Sequence, residues 1–365
     1  MFKLHTVQAE EGDSLLLEYG KQSQPRFILI DGGPQGVYQA HLRAVLSQLS
    51  RRELELVILS HVDDDHVMGL VELLAELVQQ QVNDSDPIVK PQALWHNAFS
   101  QTLTPQLQQR LAQAVDSAPN KAALQATPGV LTSISNGSKL RGLATDLSLP
   151  VNPGFGDMPI CVDTQGQPFM SANLALSVVG PTQANLVALR DKWQQWLDKN
   201  EKKIVTGEIK PTAMADQSIP NLSSLILVAQ ADNRTLLLTG DGRGDFIQEG
   251  LVATGYLPDK EGRVHFDCLK VPHHGSDRNV TAKFFQQVTA DHYVISANGK
   301  HNNPDLSTLK WILEAARQQQ RRFTLHVTNN APGVQEFVKL YPPASSGYTL
   351  NLLGPGKHVL TLALA

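Results

Sequence analysis

The chain has 365 residues, of which 41 % are hydrophobic, so it can bury a large core. Its net charge of −4 and isoelectric point of about 6.3 exclude a global basic field, so a polyanion would have to bind to a local basic patch. No segment approaches the roughly 20 consecutive apolar residues of a membrane span, and the N-terminus lacks the apolar core of a signal peptide. The two distant cysteines, Cys161 and Cys268, fit a reducing compartment. We therefore predict a cytoplasmic protein that does not enter a membrane.

A strand, a turn and a helix form the first predicted unit. Residues 54–59 are mostly branched and apolar, which predicts a buried strand. Residues 61–66, His-Val-Asp-Asp-Asp-His, follow directly and place two imidazoles and three carboxylates in six positions. Gly69 and the apolar periodicity of residues 70–82 predict a helix. Burying this much negative charge at a strand end is costly unless a cation compensates it, so the unit predicts a metal site.

A solvated capping turn is the alternative interpretation of the same residues. Asp, Asn and Ser are common where a strand leads into a helix, so one or two of these aspartates need no metal to explain them. Capping does not explain two histidines at this spacing. We therefore favour the metal site.

The middle of the chain predicts helices followed by loops. Residues 104–126 are rich in Gln, Ala and Leu, and their apolar spacing indicates helices. Residues 129–166 are dense in Gly, Pro, Ser and Asn, which indicates long surface loops. A further helix is predicted over residues 183–202, and its apolar stripe favours core packing over nucleobase stacking. Residues 200–220 mix charge with Gly and Pro and predict a mobile flap.

A basic patch is predicted on a late helix. Its residues are Lys310, Arg317, Arg321 and Arg322. They could hold a polyanion, although such a run of charge is commonly a solvated helix face.

Several motifs together resemble one family. Residues 61–66 resemble the metal motif of the metallo-β-lactamase fold, in the variant His-x-Asp-x-Asp-His of the competence protein ComEC and its stand-alone relatives. Other landmarks of that family follow in the same order: Gly12-Asp13-Ser14, Asp31-Gly32-Gly33, Thr239-Gly240-Asp241, Lys270-Val271-Pro272-His273-His274-Gly275-Ser276, and His301-Asn302-Asn303-Pro304. The resemblance implies an αββα sandwich, formed by a single domain over residues 1–365 with an insertion at about residues 83–171.

The resemblance also implies a set of metal ligands. His61 and Asp63 would hold one cation, while Asp65, His66 and His274 would hold the other, with Asp241 bridging the two. One or two divalent ions are therefore expected, and a mixture of imidazole and carboxylate ligands suits zinc or manganese.

Other residues would act on the substrate. Asp65 would orient the attacking water, and Lys270 and His273 would bind a phosphate or protonate a leaving oxygen. His301 and Ser276 are candidate substrate contacts. The plainer interpretations are a strand-edge charge for Lys270, a residue that orients a ligand for His273, a loop residue for His301 and a capped turn for Ser276.

The chain also departs from the family pattern. A histidine of the first site is expected near Val179-Gly180-Pro181, and none is present there. The site built on His61 and Asp63 is therefore expected to bind its ion more weakly than the other. Asn303 stands where relatives usually have a histidine before the proline.

Three functions stay open at this stage. A metal-dependent phosphodiesterase or nuclease, acting through a metal-activated hydroxide, is the first. A hydrolase of a small ester, lactone or amide is the second, and the low basic charge keeps it open. A catalytically silent scaffold is the third, which the number of matching ligands argues against. The expected partners are therefore nucleic acid or a small phosphodiester.

Overall fold

The computed structural model describes residues 1–97, 104–119, 130–156, 158–208 and 223–365. Within these residues the strands are β1 (Phe2–Val7), β2 (Leu15–Lys21), β3 (Gln24–Ile30), β4 (Glu53–Leu54), β5 (Leu56–Leu59), β6 (Lys90–Pro91), β7 (Leu94–His96), β8 (Phe169–Ser171), β9 (Leu174–Gly180), β10 (Ile226–Ala231), β11 (Arg234–Leu238), β12 (Val264–Lys270), β13 (Val288–Ile295), β14 (Phe323–Val327), β15 (Tyr348–Leu352) and β16 (Val359–Ala363).

The strands form two mixed sheets. One has the order β16-β1-β2-β3-β5-β7, in which the pairs from β16 to β3 are antiparallel and those from β3 to β7 are parallel. The other has the order β15-β14-β13-β12-β11-β10-β9-β8, in which the pairs from β15 to β11 are parallel and the rest are antiparallel. The short strands β4 and β6 pair with each other.

Helices flank both sheets. In the described residues they are α1 (Arg43–Ser47), α2 (Asp64–Val82), α3 (Pro105–Asp116), α4 (Val130–Asp146), α5 (Gln183–Val205), α6 (Gly244–Ala253), α7 (Ala282–Gln287), α8 (Leu306–Gln318), α9 (Pro332–Leu340) and α10 (Pro343–Ser346). None of them is long and apolar enough to cross a membrane.

Three apolar layers hold the sheets and helices together. The sheets pack face to face, for example through Ile28 and Ile58 of one and Leu236 and Val294 of the other. The outer face of the six-stranded sheet packs against α1, α2 and α4. The outer face of the eight-stranded sheet packs against α6 to α9. This arrangement confirms the predicted αββα sandwich. The single-domain boundary at residues 1–365 stays a prediction.

Several loops meet at one edge of the sandwich. β5 ends at Leu59, β11 at Leu238 and β12 at Lys270, each just before residues of the predicted metal motifs. The backbone N–H of Leu225 donates to the carbonyl of Ser60 over 2.8 Å, which joins the two sheets at this edge. Ligand sites commonly form beyond the carboxyl ends of parallel strands, so the sheet topology gathers the candidate residues here.

Some predicted elements need correction. The helix expected over residues 70–82 begins at Asp64, inside the metal motif. Residues 130–146, expected to be loop, form α4, in which Leu140 and Ala144 are buried against α2. Tertiary packing thus outweighs the low helix propensity of its Gly, Ser and Asn residues.

The other helix predictions agree with the structure where it describes them. α3 lies in the region expected to be helical, and residues 120–126 of that region fall outside the described residues. α5 buries Leu186, Leu189, Trp193 and Leu197 against α3, which confirms core packing for this stripe. Residues 200–205, assigned to the flap, belong to α5, and residues 209–220 fall outside the described residues.

Candidate metal centre

The His-x-Asp-x-Asp-His motif lies at the junction of β5 and α2. His61 and Asp63 precede the helix, whereas Asp65 and His66 lie in its first turn. Asp63 is the N-cap residue, but its side chain makes no capping hydrogen bond. The capping interpretation therefore fails for Asp63. A helix N-terminus favours negative charge, which helps to hold the carboxylates of the first turn there.

One half of the cluster surrounds Oδ1 of Asp241. The Nε2 atoms of His66 and His274 each lie 3.4 Å from this oxygen. Oδ2 of Asp65 lies 3.8 Å from Nε2 of His66 and 3.4 Å from Nε2 of His274. The two imidazoles thus each approach both Asp241 and Asp65.

The other half surrounds Oδ2 of the same carboxylate. Nε2 of His61 lies 3.8 Å and Nε2 of His273 lies 3.5 Å from this oxygen. Oδ2 of Asp63 lies 3.5 Å from Nε2 of His61. Asp241 therefore directs one oxygen toward each half of the cluster.

These separations fit metal ligands better than hydrogen bonds. They exceed the usual N–H···O range of 2.7–3.2 Å. Four ligand atoms at about 2.1 Å from a tetrahedral metal lie about 3.4 Å from one another. In the described residues, Nε2 of His61, His66 and His274 and Oδ1 of Asp241 are buried without a hydrogen-bond partner. Because such buried polar groups are costly, the donor set fits a bound cation.

The remaining ring nitrogens hold the imidazoles in place. Nδ1 of His66 contacts Oδ2 of Asp31 at 2.9 Å, and Nδ1 of His274 contacts the carbonyl of Ser296 at 3.0 Å. Nδ1 of His61 lies 3.1 Å from the Ser60 hydroxyl, which itself donates to Asp31. With the Nδ1 proton donated to these acceptors, Nε2 is left to bind a metal. Sequence reasoning missed the orienting role of Asp31, although it lies in the Asp-Gly-Gly landmark.

The ionisable groups of the cluster have strongly shifted pKa values. Burial would raise the pKa of Asp241, but the neighbouring His274, His273 and His66 bring that pKa well below its ordinary value. Burial likewise would lower the pKa of His66 and of His274, but Asp241 and other carboxylates raise both pKa values well above the ordinary range. A cation entering the cluster would replace these protons, so metal binding is expected to release protons.

Asp13 joins the cluster from the turn before β2. Asp13, His66, Asp241 and His274 offer ligand atoms that all lie within 4.8 Å of one another, so these four residues could hold a metal ion. Oδ1 of Asp13 lies 3.5 Å from Nδ1 of His274, on the opposite side of the ring from Asp65 and Asp241. Its other oxygen pairs with Lys270. This position favours an orienting role for Asp13, which the sequence placed in a landmark but not in the site.

The turn that contains Asp13 packs directly on the metal motif. A Cβ atom at Gly12 would lie 1.9 Å from the carbonyl oxygen of Asp65, so only glycine fits there. The backbone N–H of Asp13 also donates to that carbonyl, over 3.3 Å. The turn therefore fixes the first turn of α2 beside His274.

Lys270, Ser276 and His301 differ in their access to the cluster. Lys270 is buried, where its ammonium pairs with Asp13 and donates to the carbonyl of Gly240 at 3.3 Å. This position favours a positioning role over contact with a substrate. Ser276 is buried, and its backbone N–H donates to the carbonyl of His273. His301 is exposed in a short 3₁₀ turn. The substrate roles of Ser276 and His301 stay predictions.

Two arginines of the predicted basic patch, Arg321 and Arg322, lie away from the metal cluster. Arg321 and Arg322 immediately precede β14, and Arg321 donates to the carbonyl of Ala290 near the start of β13. The metal cluster lies beyond the opposite end of β13. That end is about 20 Å from Ala290 along the strand. Arg317 stacks over the ring of Tyr341. The position of these arginines therefore gives no support to the idea that they hold a substrate at the metals.

One protein-family model matches part of the chain. Residues 15–167 match the Metallo-beta-lactamase superfamily. The match to this superfamily includes the His-x-Asp-x-Asp-His motif and ends before Asp241. The chain is also similar to a solved structure from Cronobacter sakazakii (Enterobacter sakazakii), which is described as a metallo-beta-lactamase with a HARLDQ motif. The sequence identity is 13 % and the TM-score is 0.30, and the alignment covers 86 % of this chain and 89 % of that chain. No curated protein matches the chain.

Proposed function

We propose that this protein is a metal-dependent hydrolase that cleaves a small phosphodiester. The observation that supports this proposal is the position of Asp241, whose two carboxylate oxygens face two separate pairs of imidazoles. A carboxylate in this position can bridge two cations. Two-metal sites of this kind are typical of phosphatases and nucleases.

The ligands would divide between two neighbouring cations. His61 and Asp63 would hold one, and Asp65, His66 and His274 would hold the other. Zinc or manganese suits this mixture of nitrogen and oxygen ligands. When bound, the cations would lower the pKa of water and neutralise charge that develops on the substrate.

Asp65 is the carboxylate of the cluster best placed to act on water. Its side chain is 29 % exposed, compared with 9 % for Asp63 and 3 % for Asp241. Burial would raise its pKa, but His66 and His274 lower that pKa below its ordinary value, so the group stays ionised. An ionised carboxylate at the mouth of the site can orient a water molecule by accepting a hydrogen bond from it.

The choice of a phosphodiester rests on the ComEC-like motifs, and the choice of a small one rests on charge. Arg321 and Arg322, two of the basic residues expected to hold a long polyanion, lie at the other end of the sheet, and the net charge of the chain is −4. A short substrate needs no extended basic surface, because the cations themselves neutralise its phosphate.

The test compares Asp241→Asn with Asp245→Asn in the hydrolysis of a bis-aryl phosphodiester. The metal-free proteins are each supplemented with manganese, zinc or magnesium. We expect kcat to fall at least about a hundredfold in Asp241→Asn, because the bridging charge is lost. Asp245 is exposed and pairs with Arg243, so its amide variant should retain activity.

Two results would contradict the proposal. Wild-type activity in Asp241→Asn would exclude the bridging role. Turnover of an ester, lactone or amide, with no turnover of the phosphodiester under any of the metals, would replace the phosphodiesterase with the second class of hydrolase.

A further inference from the structure

We propose that His273 is the missing ligand of the first metal site. This inference rests on the metal centre of the proposed function but not on the bond that is hydrolysed. The sequence leaves that site with His61, Asp63 and the shared Asp241. A fourth ligand from His273 would give it two nitrogen and two oxygen donors, the same set as Asp65, His66, His274 and Asp241 provide to the second site.

The segment where a histidine is expected contains none and is closely packed. Val179 is fully buried in the core beneath the eight-stranded sheet. A Cβ atom at Gly180 would lie 2.5 Å from Cδ1 of Ile226 and 3.1 Å from its Cβ. A larger side chain at Gly180 would therefore require Ile226 to move. The ligand must come from another element.

His273 approaches the first site from the loop after β12. Its Nε2 lies 3.5 Å from Oδ2 of Asp241, the same oxygen that lies 3.8 Å from Nε2 of His61. These separations match those between the imidazoles and carboxylates of the second site. The His273 side chain is 21 % exposed whereas that of His61 is fully buried, so His273 lies on the solvent-facing side of the cluster.

Asn279 fixes the orientation of His273. Its Oδ1 lies 2.6 Å from Nδ1 of His273, and its Nδ2 donates to the backbone carbonyl of Asp241 at 3.3 Å. One asparagine thus ties the histidine to the loop that contains the bridging carboxylate. Hydrogen bonding at Nδ1 leaves Nε2 as the ligand atom, as is usual for histidines that bind metals.

The backbone of the loop sends two consecutive histidines to two different sites. His273 has φ of 48° and His274 has φ of 54°, so both adopt the left-handed conformation that non-glycine residues rarely use. Their rings lie 5.9 Å apart and are nearly perpendicular. Strained residues of this kind cluster at functional sites, where the strain helps to place the side chains.

Other histidines are less suitable. His96 is fully buried at the end of β7, where burial and Arg141 lower its pKa to about 3. Among the described residues it forms no ion pair with a carboxylate of the cluster. His301 is exposed, in the same short turn as Lys300. Only His273, of these three, lies within 4 Å of Asp241 in the described part of the chain.

Metal titration tests this inference without measuring activity. Manganese is added to metal-free wild type, His273→Gln and His301→Gln, and the bound ions are counted by equilibrium dialysis. Wild type and His301→Gln should bind two ions with affinities within about tenfold of each other. His273→Gln should bind one ion with unchanged affinity, and the other at least about tenfold more weakly.

Asn279→Ala provides a second, milder test. It keeps the imidazole but removes its hydrogen-bond partner, so the affinity of one ion should fall by about 10- to 100-fold. The absorption spectrum of bound cobalt should change for that ion alone. Circular dichroism of the metal-free variants checks that they fold as wild type does.

Three results would overturn the inference. The first is unchanged binding of both ions by His273→Gln and Asn279→Ala. The second is loss of activity in His273→Gln with both ions retained and the pH profile altered, which would make His273 a proton donor instead. The third is the absence of metal binding by the wild type. Two ions bound with no hydrolysis of a phosphodiester would refute only the proposed substrate and would leave the ligand assignment supported.

Discussion

Lys270 and Asp13 form an ion pair in which each side chain is only 1 % exposed. The ammonium group also donates to the carbonyl of Gly240, next to Asp241. The second oxygen of Asp13 lies 3.5 Å from Nδ1 of His274. The pair therefore connects the turn before β2 to both loops that carry the later candidate metal ligands, Asp241 and His274.

Breaking this pair should destabilise the protein strongly. Lys270→Met leaves the Asp13 carboxylate buried without its cation, which typically costs about 3–5 kcal/mol. The double variant Asp13→Leu/Lys270→Met should regain part of that loss, because neither charge remains. Arg234→Met, which breaks an exposed pair with Asp267, should cost about 1 kcal/mol or less. Urea denaturation of the metal-free proteins measures these differences, and equal losses in Lys270→Met and Arg234→Met would contradict the expectation.

The same pair should contribute to stability at acid pH. Burial would raise the pKa of Asp13, but Lys270 and His274 lower it to about 2, from an ordinary value of 3.8. A carboxylate whose pKa is depressed on folding stabilises the protein above its unfolded pKa and loses that effect as pH falls through its folded pKa. The contribution, about 2 kcal/mol, should therefore disappear between about pH 4 and pH 2.

Asp13→Asn isolates this contribution. Unfolding free energies of metal-free wild type and Asp13→Asn are compared at about pH 6 and about pH 2. The wild type should lose about 2 kcal/mol more than the variant over this range. An identical loss in both proteins would show that Asp13 does not titrate with folding.

Asp31 should control metal affinity without binding the metal. It accepts hydrogen bonds from the backbone N–H and the hydroxyl of Ser60 and from Nδ1 of His66. Asp31→Asn replaces one acceptor oxygen with an amide donor, so one of these contacts becomes repulsive. We expect metal affinity to fall by about 10- to 100-fold, as measured by competition with a chelator. Asp86→Asn, at a side chain that is 84 % exposed, is the control, and equal affinity in the two variants would contradict the role.

Arg322 should not affect cleavage of a nucleic acid. It is exposed, and it lies at the start of β14, far from the metal cluster. If the protein needs no basic surface beyond the metals to hold its substrate, Arg322→Glu should not change the rate of hydrolysis. The rates with long DNA and with a bis-aryl phosphodiester should both stay within about twofold of wild type. A loss of activity on DNA but not on the bis-aryl phosphodiester would contradict this prediction. It would support the expectation that Arg321 and Arg322 hold a polyanion.

The sequence alone indicates the parts of the candidate site that depend on local patterns. His61, Asp63, Asp65 and His66 are neighbours in the chain, so their common direction follows from one strand, one turn and one helix. The family landmarks added Asp241 and His274, and the structure brings both to the same point. These six residues could be assigned to the candidate site with little knowledge of the rest of the fold.

The residues that orient the ligands were harder to predict. Asp13, Asp31 and Asn279 are short polar residues in turns, where such residues are common for purely structural reasons. Their roles depend on contacts between distant segments, such as that of Asp13 with Lys270. The position of Arg321 likewise depends on which end of β14 faces the site, and the local sequence does not encode that direction.

Anomalous diffraction from crystals of the manganese-loaded protein tests the central claim most directly. The proposed centre predicts two peaks about 3.5–4 Å apart, one beside each carboxylate oxygen of Asp241. The peak near Oδ1 should lie among Asp65, His66 and His274, and the other should lie near His61 and Asp63. A single peak beside Asp13, or no peak within the cluster, would contradict a two-metal centre bridged by Asp241.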